Sequence, residues 1–347
     1  MEHELSIIIA VEDDNELNIK RTVESALGQS YEKTVTIICA DNASDKTRVI
    51  LSEFQKNDPE KCEVYYTTRF SARGGAFNLG LRKAVSEWIC FVNEGDILSN
   101  DFADKMISEA KKSGADVVAC GYTVFDPEKS EGPEKSDDGK SGINDSDYEI
   151  ETEILKEAVG KLDYDGHAIL CVNPGRMESK IFKKKIFDVN GLWFPEEISF
   201  EKLGIHRLAL FYADKFAFVP DRLYSYSKQS DETALDGLYE RIDVMSFFME
   251  ETYKREFLED YPEEVESAFI DDLYVKTLFM YLAITPPSKR DISFLKMLSE
   301  AVLDCFPEFE TNPYYYEKYD GDIKELLNLH ISNPKKFMKL TAKMRLN

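Results

Sequence analysis

The sequence predicts an α/β fold: a mainly parallel sheet with helices on both faces, followed by a helical C-terminal region. Three observations predict it. The first third alternates short aliphatic runs with segments of helical periodicity. Several of those runs are predominantly apolar along their length, as strands buried on both faces are. From about Leu235 onward the pattern is helical almost throughout.

In chain order, Leu5–Val11 reads as the first buried strand, and 17–27 as a helix with Ile19, Val23, Ala26 and Leu27 on one face. Residues 34–40 form a second buried strand, and 45–54 a helix with Ser44 or Asp45 as its cap. Cys62–Thr67 is a half-buried strand, 76–85 a helix and 88–92 a strand. An amphipathic helix over 102–112 and an apolar strand over 115–122 continue the alternation. Residues 126–148 are charged and rich in Gly, Pro and Ser, which predicts a mobile acidic loop, either a lid over a substrate or an insertion. Beyond it come a helix at 151–159, a strand at 177–181, a helix at 200–212 and short strands at 216–219 and 223–226. Helices over 239–257, 263–285 and 291–303 follow. The expected organisation is a catalytic-type domain over 1–235 and a helical region over 236–347.

A chain of 347 residues can bury a large core. Its net charge of −23 argues against nucleic acid as a partner, because phosphate binding needs a basic footprint. The six cysteines are scattered without a Cys-x-x-Cys pair, and Cys39 and Cys90 lie inside apolar runs. They read as small buried hydrophobes in a reducing compartment. None of the four histidines has metal-pair spacing. The first residues lack a basic region and a long apolar run, and no stretch is apolar enough to span a bilayer, so a cytoplasmic protein is expected. The tail over 333–347 carries Lys335, Lys336, Lys339, Lys343 and Arg345 and no acidic residue. It is a candidate for peripheral contact with anionic lipid at the inner face of the membrane, or else a basic helix against an acidic body.

The strand at 88–92 ends abruptly in Asn93-Glu94-Gly95-Asp96, where an open α/β sheet offers polar groups to a ligand. With its neighbours, this stretch resembles family 2 glycosyltransferases of the GT-A fold over roughly residues 4–235. Ser6-Ile7-Ile8-Ile9-Ala10-Val11 is similar to the family's opening strand, and Val23-Glu24-Ser25-Ala26-Leu27-Gly28-Gln29-Ser30-Tyr31 to its first helix end. Ala40-Asp41-Asn42-Ala43-Ser44-Asp45 resembles the Asp-Asp-Gly-Ser-x-Asp turn, and Ala76-Phe77-Asn78-Leu79-Gly80 the Ala-Arg-Asn-x-Gly motif. Met177 to Phe182 looks like the acceptor-side strand. Gly191-Leu192-Trp193-Phe194-Pro195-Glu196 with Phe200-Glu201-Lys202-Leu203 resembles a Gly-Leu-x-Phe-x-Glu…Tyr-Glu-Asp-Leu pattern, and Leu223-Tyr224-Ser225-Tyr226 a Leu-Tyr-x-Tyr segment. The longer pattern is that of capsule- and surface-polysaccharide transferases.

The resemblance implies inverting transfer of a sugar from a nucleotide diphosphate, a UDP-sugar in the first instance, to a hydroxyl of a saccharide or lipid-linked acceptor. It implies nucleotide contacts at Ala10, Glu12, Asp41, Arg73, Asn78 and Asn93, a divalent cation (Mg2+ or Mn2+) at Asp96, and a catalytic base at Glu201. Asp41 would accept an imide N–H; as an Asp on a turn, it would serve equally as a cap. Arg73, with Arg69 and Lys228, would offer a cation to the pyrophosphate. The chain departs from the family at three places. Asn93 and Gly95 replace carboxylates of the usual Asp-x-Asp-Asp, which predicts a weak or absent metal site, with Asp96 alternatively capping the next helix. Lys202 replaces the usual Asp of Glu-Asp, and an ammonium does not accept a proton unless its pKa is strongly depressed. The alternative is therefore a catalytically impaired GT-A module that binds a sugar nucleotide or a partner enzyme without turnover. Gly74-Gly75 is not followed by Gly-Lys-Ser/Thr, which excludes a P-loop.

Overall fold

The computed structural model describes residues 2–11, 15–68, 73–127, 145–198, 202–227 and 235–342. The first helix-and-strand run comprises β1 (Leu5–Val11), α1 (Glu16–Leu27), β2 (Thr34–Asp41), α2 (Asp45–Asn57), β3 (Cys62–Thr67), α3 (Arg73–Lys83) and β4 (Trp88–Asn93). It continues through β5 (Ile97–Leu98), α4 (Phe102–Ser113), β6 (Val117–Phe125), α5 (Asp145–Glu157), β7 (Gly160–Lys161) and α6 (Tyr164–Val172). It closes with β8 (Lys180–Lys183), α7 (Lys185–Asn190), α8 (Lys202–Phe211) and β9 (Lys215–Ser227).

β1 is buried along its whole length, as a strand paired on both edges and covered on both faces must be. Its partners β2 and β4 are both parallel to it, and β3 is parallel to β2. The sheet order is β3-β2-β1-β4-β8-β6-β9-β5, with β7 paired to β9. Parallel pairing therefore holds in the β3-to-β4 half and again between β6 and β9. β8 lies between the halves and is antiparallel to both β4 and β6, because the chain enters it from the carboxyl edge.

Strand alternation sends neighbouring side chains to opposite faces. On one face Ile7, Ile9, Cys90 and Val92 pack with Ile19 and Val23 of α1, Leu51 of α2 and Phe102 of α4. On the other, Phe91 meets Phe77 of α3 edge-on at 5.3 Å and Phe194 at 5.0 Å. Ser44 is the cap of α2, its hydroxyl accepting from the Thr47 amide at 3.2 Å. Five cysteines are buried and Cys305 is exposed, and none of the six is in a disulfide.

Among the boundaries that depart from the sequence expectation, three lie close to the site. β8 starts at Lys180, because Met177, Glu178 and Ser179 form a bend and turn before it. β9 is one strand rather than two, with a register shift against β6 that passes over Pro220 and Asp221 before Gly121 and a second that passes over Leu223 after it. α5 already begins at Asp145, inside the stretch expected to be loop, whose residues 128–144 lie outside the described residues.

The chain divides into two compact units, residues 1–197 with 205–229, and residues 198–204 with 230–347. The second unit is helical, from Leu235–Lys254 to Pro334–Thr341, with a π-helical stretch at Phe269–Val275. Tyr281 stacks on Phe294 at 4.3 Å within it. Lys335, Lys336 and Lys339 sit on the Pro334–Thr341 helix, while Lys343 and Arg345 lie outside the described residues. Among the described residues, no helix is long and apolar enough to cross a membrane.

Candidate active site at the carboxyl edge of the sheet

β1, β2, β3 and β4 run parallel, so Val11, Asp41, Thr67 and Asn93 end on one edge. β1 has β2 on one side and β4 on the other, which is the strand-order reversal where open α/β sheets place a ligand crevice. Ala10 stands in register with Cys39 and Asn93 and is 1% exposed, so only its backbone can serve a ligand. Glu12 and Glu201 lie outside the described residues, as do Arg69 and Lys228.

Asp41 closes β2. Its Oδ2 accepts from Asn42 Nδ2 at 2.8 Å, and its Oδ1 is buried without a hydrogen-bond partner. Asn42 adopts φ 49° to make the turn. With Ser44 capping α2, Asp41 is not the helix cap. A buried carboxylate oxygen left unfilled is costly, and it points to a donor supplied from outside the chain.

Arg73 opens α3 and reaches the end of β4, where its guanidinium donates to Asn93 Oδ1 at 3.2 Å. The other end of that amide donates to Glu178 Oε1 at 3.0 Å. Asn93 thus joins Arg73 to Glu178, two residues far apart in sequence.

Asn78, by contrast, belongs to the scaffold. It is 1% exposed. Its Oδ1 accepts from the Phe194 amide at 2.9 Å, and its Nδ2 donates to Phe194 O at 2.9 Å and Glu196 Oε1 at 3.0 Å. Both ends of the amide are engaged there, so Asn78 staples α3 to the 194–196 segment.

Asp96 also turns inward. Its Oδ2 accepts from the Tyr224 hydroxyl at 2.7 Å and its Oδ1 from the Ser227 amide at 2.8 Å. It caps no helix; α4 starts after Asp101. Burial, then the neighbouring Asp96 carboxylate, holds the Tyr224 phenol well above its ordinary pKa, so the hydroxyl stays a donor. The turn is completed by Thr22, which accepts from the Gly95 amide at 2.8 Å and donates to Asp96 O at 2.9 Å. Gly95 has φ +93°, and a Cβ there would stand 3.3 Å from the Ser227 side chain. Glycine at this point answers a backbone demand.

These residues do not fit a divalent cation. Hard cations need several free oxygens. Both oxygens of Asp96 are engaged, the side-chain oxygen of Asn93 faces a guanidinium, and Gly95 has no side-chain oxygen to offer. Among the described residues, no three His, Cys, Asp or Glu side chains converge.

A second group lines the same edge beyond β4. Tyr226, near the end of β9, donates to Glu178 Oε2 at 3.3 Å, and Tyr122 of β6 donates to Glu151 Oε2 at 2.8 Å. Arg176 sits over both rings, 4.3 Å from Tyr226 and 5.2 Å from Tyr122. Lys180 is fully buried and donates to Arg176 O at 2.7 Å, and burial pushes its ammonium down to about 8. Sequence reasoning did not single out Arg176. The signal it left was the Asn173-Pro174-Gly175 turn immediately before it.

Comparison with known proteins bears on the fold. Residues 6–140 match the model described as Glycosyl transferase family 2. The chain is 23% identical over 230 residues to the glycosyltransferase GlyG of Streptococcus pneumoniae, spanning 65% of this chain and 71% of GlyG. It is 23% identical over 280 residues to the putative glycosyltransferase EpsH of Bacillus subtilis, spanning 77% of this chain and 74% of EpsH. The S. aureus TarS 1–349 structure in complex with UDP-GlcNAc superposes with a TM-score of 0.67 at 14% identity, covering 98% of this chain and 90% of that one. The mixed α/β sheet with a helical C-terminal region is thus the GT-A architecture of that protein.

Proposed function

We propose that this protein is a glycosyltransferase that moves a sugar from a nucleotide-diphosphate donor to a hydroxyl of a saccharide or lipid-linked acceptor, with inversion, in surface-polysaccharide or glycolipid assembly. The family 2 match over residues 6–140 supports the class of reaction. TarS was solved with UDP-GlcNAc and with UDP, which supports a UDP-sugar as donor. A relative from Campylobacter jejuni, a GalNAc(5)-diNAcBac-PP-undecaprenol β-1,3-glucosyltransferase 22% identical over 184 residues, supports a glycan acceptor carried on lipid. The basic helix at Pro334–Thr341 is the proposed contact with anionic lipid.

The observation that carries the reading is the unfilled Oδ1 of Asp41 at the strand-order reversal. An imide N–H of a uracil base supplies the donor that this oxygen lacks. Transfer is then a single displacement. The acceptor oxygen attacks the anomeric carbon, the bond from that carbon to the diphosphate oxygen breaks, and the diphosphate leaves with the electron pair. Arg73, fixed by Asn93, supplies positive charge beside the leaving group. Glu201 is the proposed acceptor of the hydroxyl proton.

Calorimetric titration with UDP-sugars tests the proposal. Asp41→Ala is expected to weaken UDP binding by roughly tenfold or more, a charge-assisted hydrogen bond, without loss of stability. Failure of the wild-type chain to bind any sugar nucleotide would remove the reading.

A further inference from the structure

Arg176 is built as a fixed cation. Gly175, at φ +63°, turns the chain into it, and a Cβ on Gly175 would stand 3.0 Å from Glu151 Oε1 and 3.2 Å from Lys180 Nζ. The carbonyl of Arg176 accepts from Ser179 Oγ at 3.0 Å and from the buried Lys180 ammonium at 2.7 Å. Its guanidinium lies over two tyrosine rings, and each ring is held by its hydroxyl on a different glutamate. Two ring contacts and the Tyr122 hydroxyl hold the guanidinium in place, and its remaining N–H groups are left for a planar or tetrahedral oxyanion. Arg176 is exposed and makes no ion pair with a described carboxylate. The Glu178 carboxylate acts on its charge without pairing with it, and in a chain with 66 acidic and 43 basic residues an immobilised arginine unpaired among the described residues is a site for an anion from outside.

The position decides which anion. Asp41, Arg73 and Asn93 occupy the ends of β2, α3 and β4. Arg176 lies past Glu178, among β8, β6 and β9, on the other half of the sheet edge. The donor's diphosphate already has Arg73 on its own half.

We infer that Arg176, held against the rings of Tyr122 and Tyr226, recognises an acidic group, a carboxylate or a phosphate, on the sugar acceptor. This rests on the reading of the edge as a sugar-transfer site, and its test separates the two. The full chain is titrated with a glucuronate oligomer, a glycerol phosphate oligomer, a neutral glucose oligomer and UDP. The wild type binds at least one acidic oligomer about tenfold or more tighter than the neutral one, and salt weakens that preference. Arg176→Gln abolishes the preference, Arg176→Lys restores part of it, and UDP affinity stays at the wild-type level in both. No acidic preference in the wild type, or a preference that survives Arg176→Gln, overturns the assignment. A parallel loss of UDP affinity also overturns it and moves the guanidinium to the donor diphosphate. Salt dependence in the wild type keeps the test open if a variant does not fold. Absence of UDP binding with the acidic preference intact would instead count against the donor reading alone.

Discussion

The Tyr224 hydroxyl donates to Asp96 Oδ2 at 2.7 Å across a separation of 128 residues, and both groups are buried. The residue whose position suggested a metal ligand is tied to the last strand of the sheet. Removing its carboxylate leaves the Tyr224 hydroxyl and the Ser227 amide without an acceptor. Asp96→Ala is therefore expected to cost about 3 kcal/mol of stability, read as a lower urea midpoint at unchanged slope. An unaltered midpoint, with only metal dependence changed, would refute this role.

Asn78→Ala is expected to behave as a scaffold lesion. It removes the hydrogen bonds to Phe194 and Glu196 that pin α3. A loss of about 2–4 kcal/mol is expected, with UDP affinity retained in the folded fraction. A large drop in affinity at full stability would return Asn78 to the nucleotide.

Lys180 gives a pH signature. Its folded ammonium titrates at about 8, lowered by burial, against an ordinary 10.5. Between those two values the unfolded chain binds more protons at this site, so its contribution to stability rises with pH there. Below the lower value the charged form is destabilising by about 3 kcal/mol relative to exposed lysine. The difference in unfolding free energy between wild type and Lys180→Met should therefore shift in favour of wild type as pH rises from 8 to 10.5. A pH-independent difference across that window would show that Lys180 is not buried as a charge.

If Glu201 receives the acceptor proton, Glu201→Gln removes transfer by a factor of about 100 or more while UDP-sugar binding persists. Equal loss of binding and turnover would make Glu201 a binding residue.

The first four strands were legible because β1, β2 and β4 are dominated by apolar residues and β3 opens with apolar and polar residues in alternation, and the observed bounds differ from the expected ones by at most one residue. β8 was misplaced because Met177 is apolar and buried yet lies in the bend before the strand. Pro220 hid the continuity of β9, since a proline inside a strand ordinarily ends it. At the site, the strand ends themselves were legible. The partners of Asp96 and Asn78 were not, because they lie more than a hundred residues away and no local pattern encodes them. Arg176 escaped for the same reason: the rings that hold it belong to β6 and β9.

The short antiparallel strand β8 has a geometric effect at this edge. It pairs with β4 only at Trp88 and Ile89, and with β6 only from Val117 to Ala119. Beyond those pairs the place between β4 and β6 is taken by the turn before β8, where the Ser179 carbonyl accepts from the Cys120 amide at 2.8 Å and the Glu178 carboxylate reaches both Asn93 and Tyr226. A turn in place of a strand joins the two halves of the edge through one side chain rather than through a backbone ladder, so a change at Glu178 is felt on both halves at once.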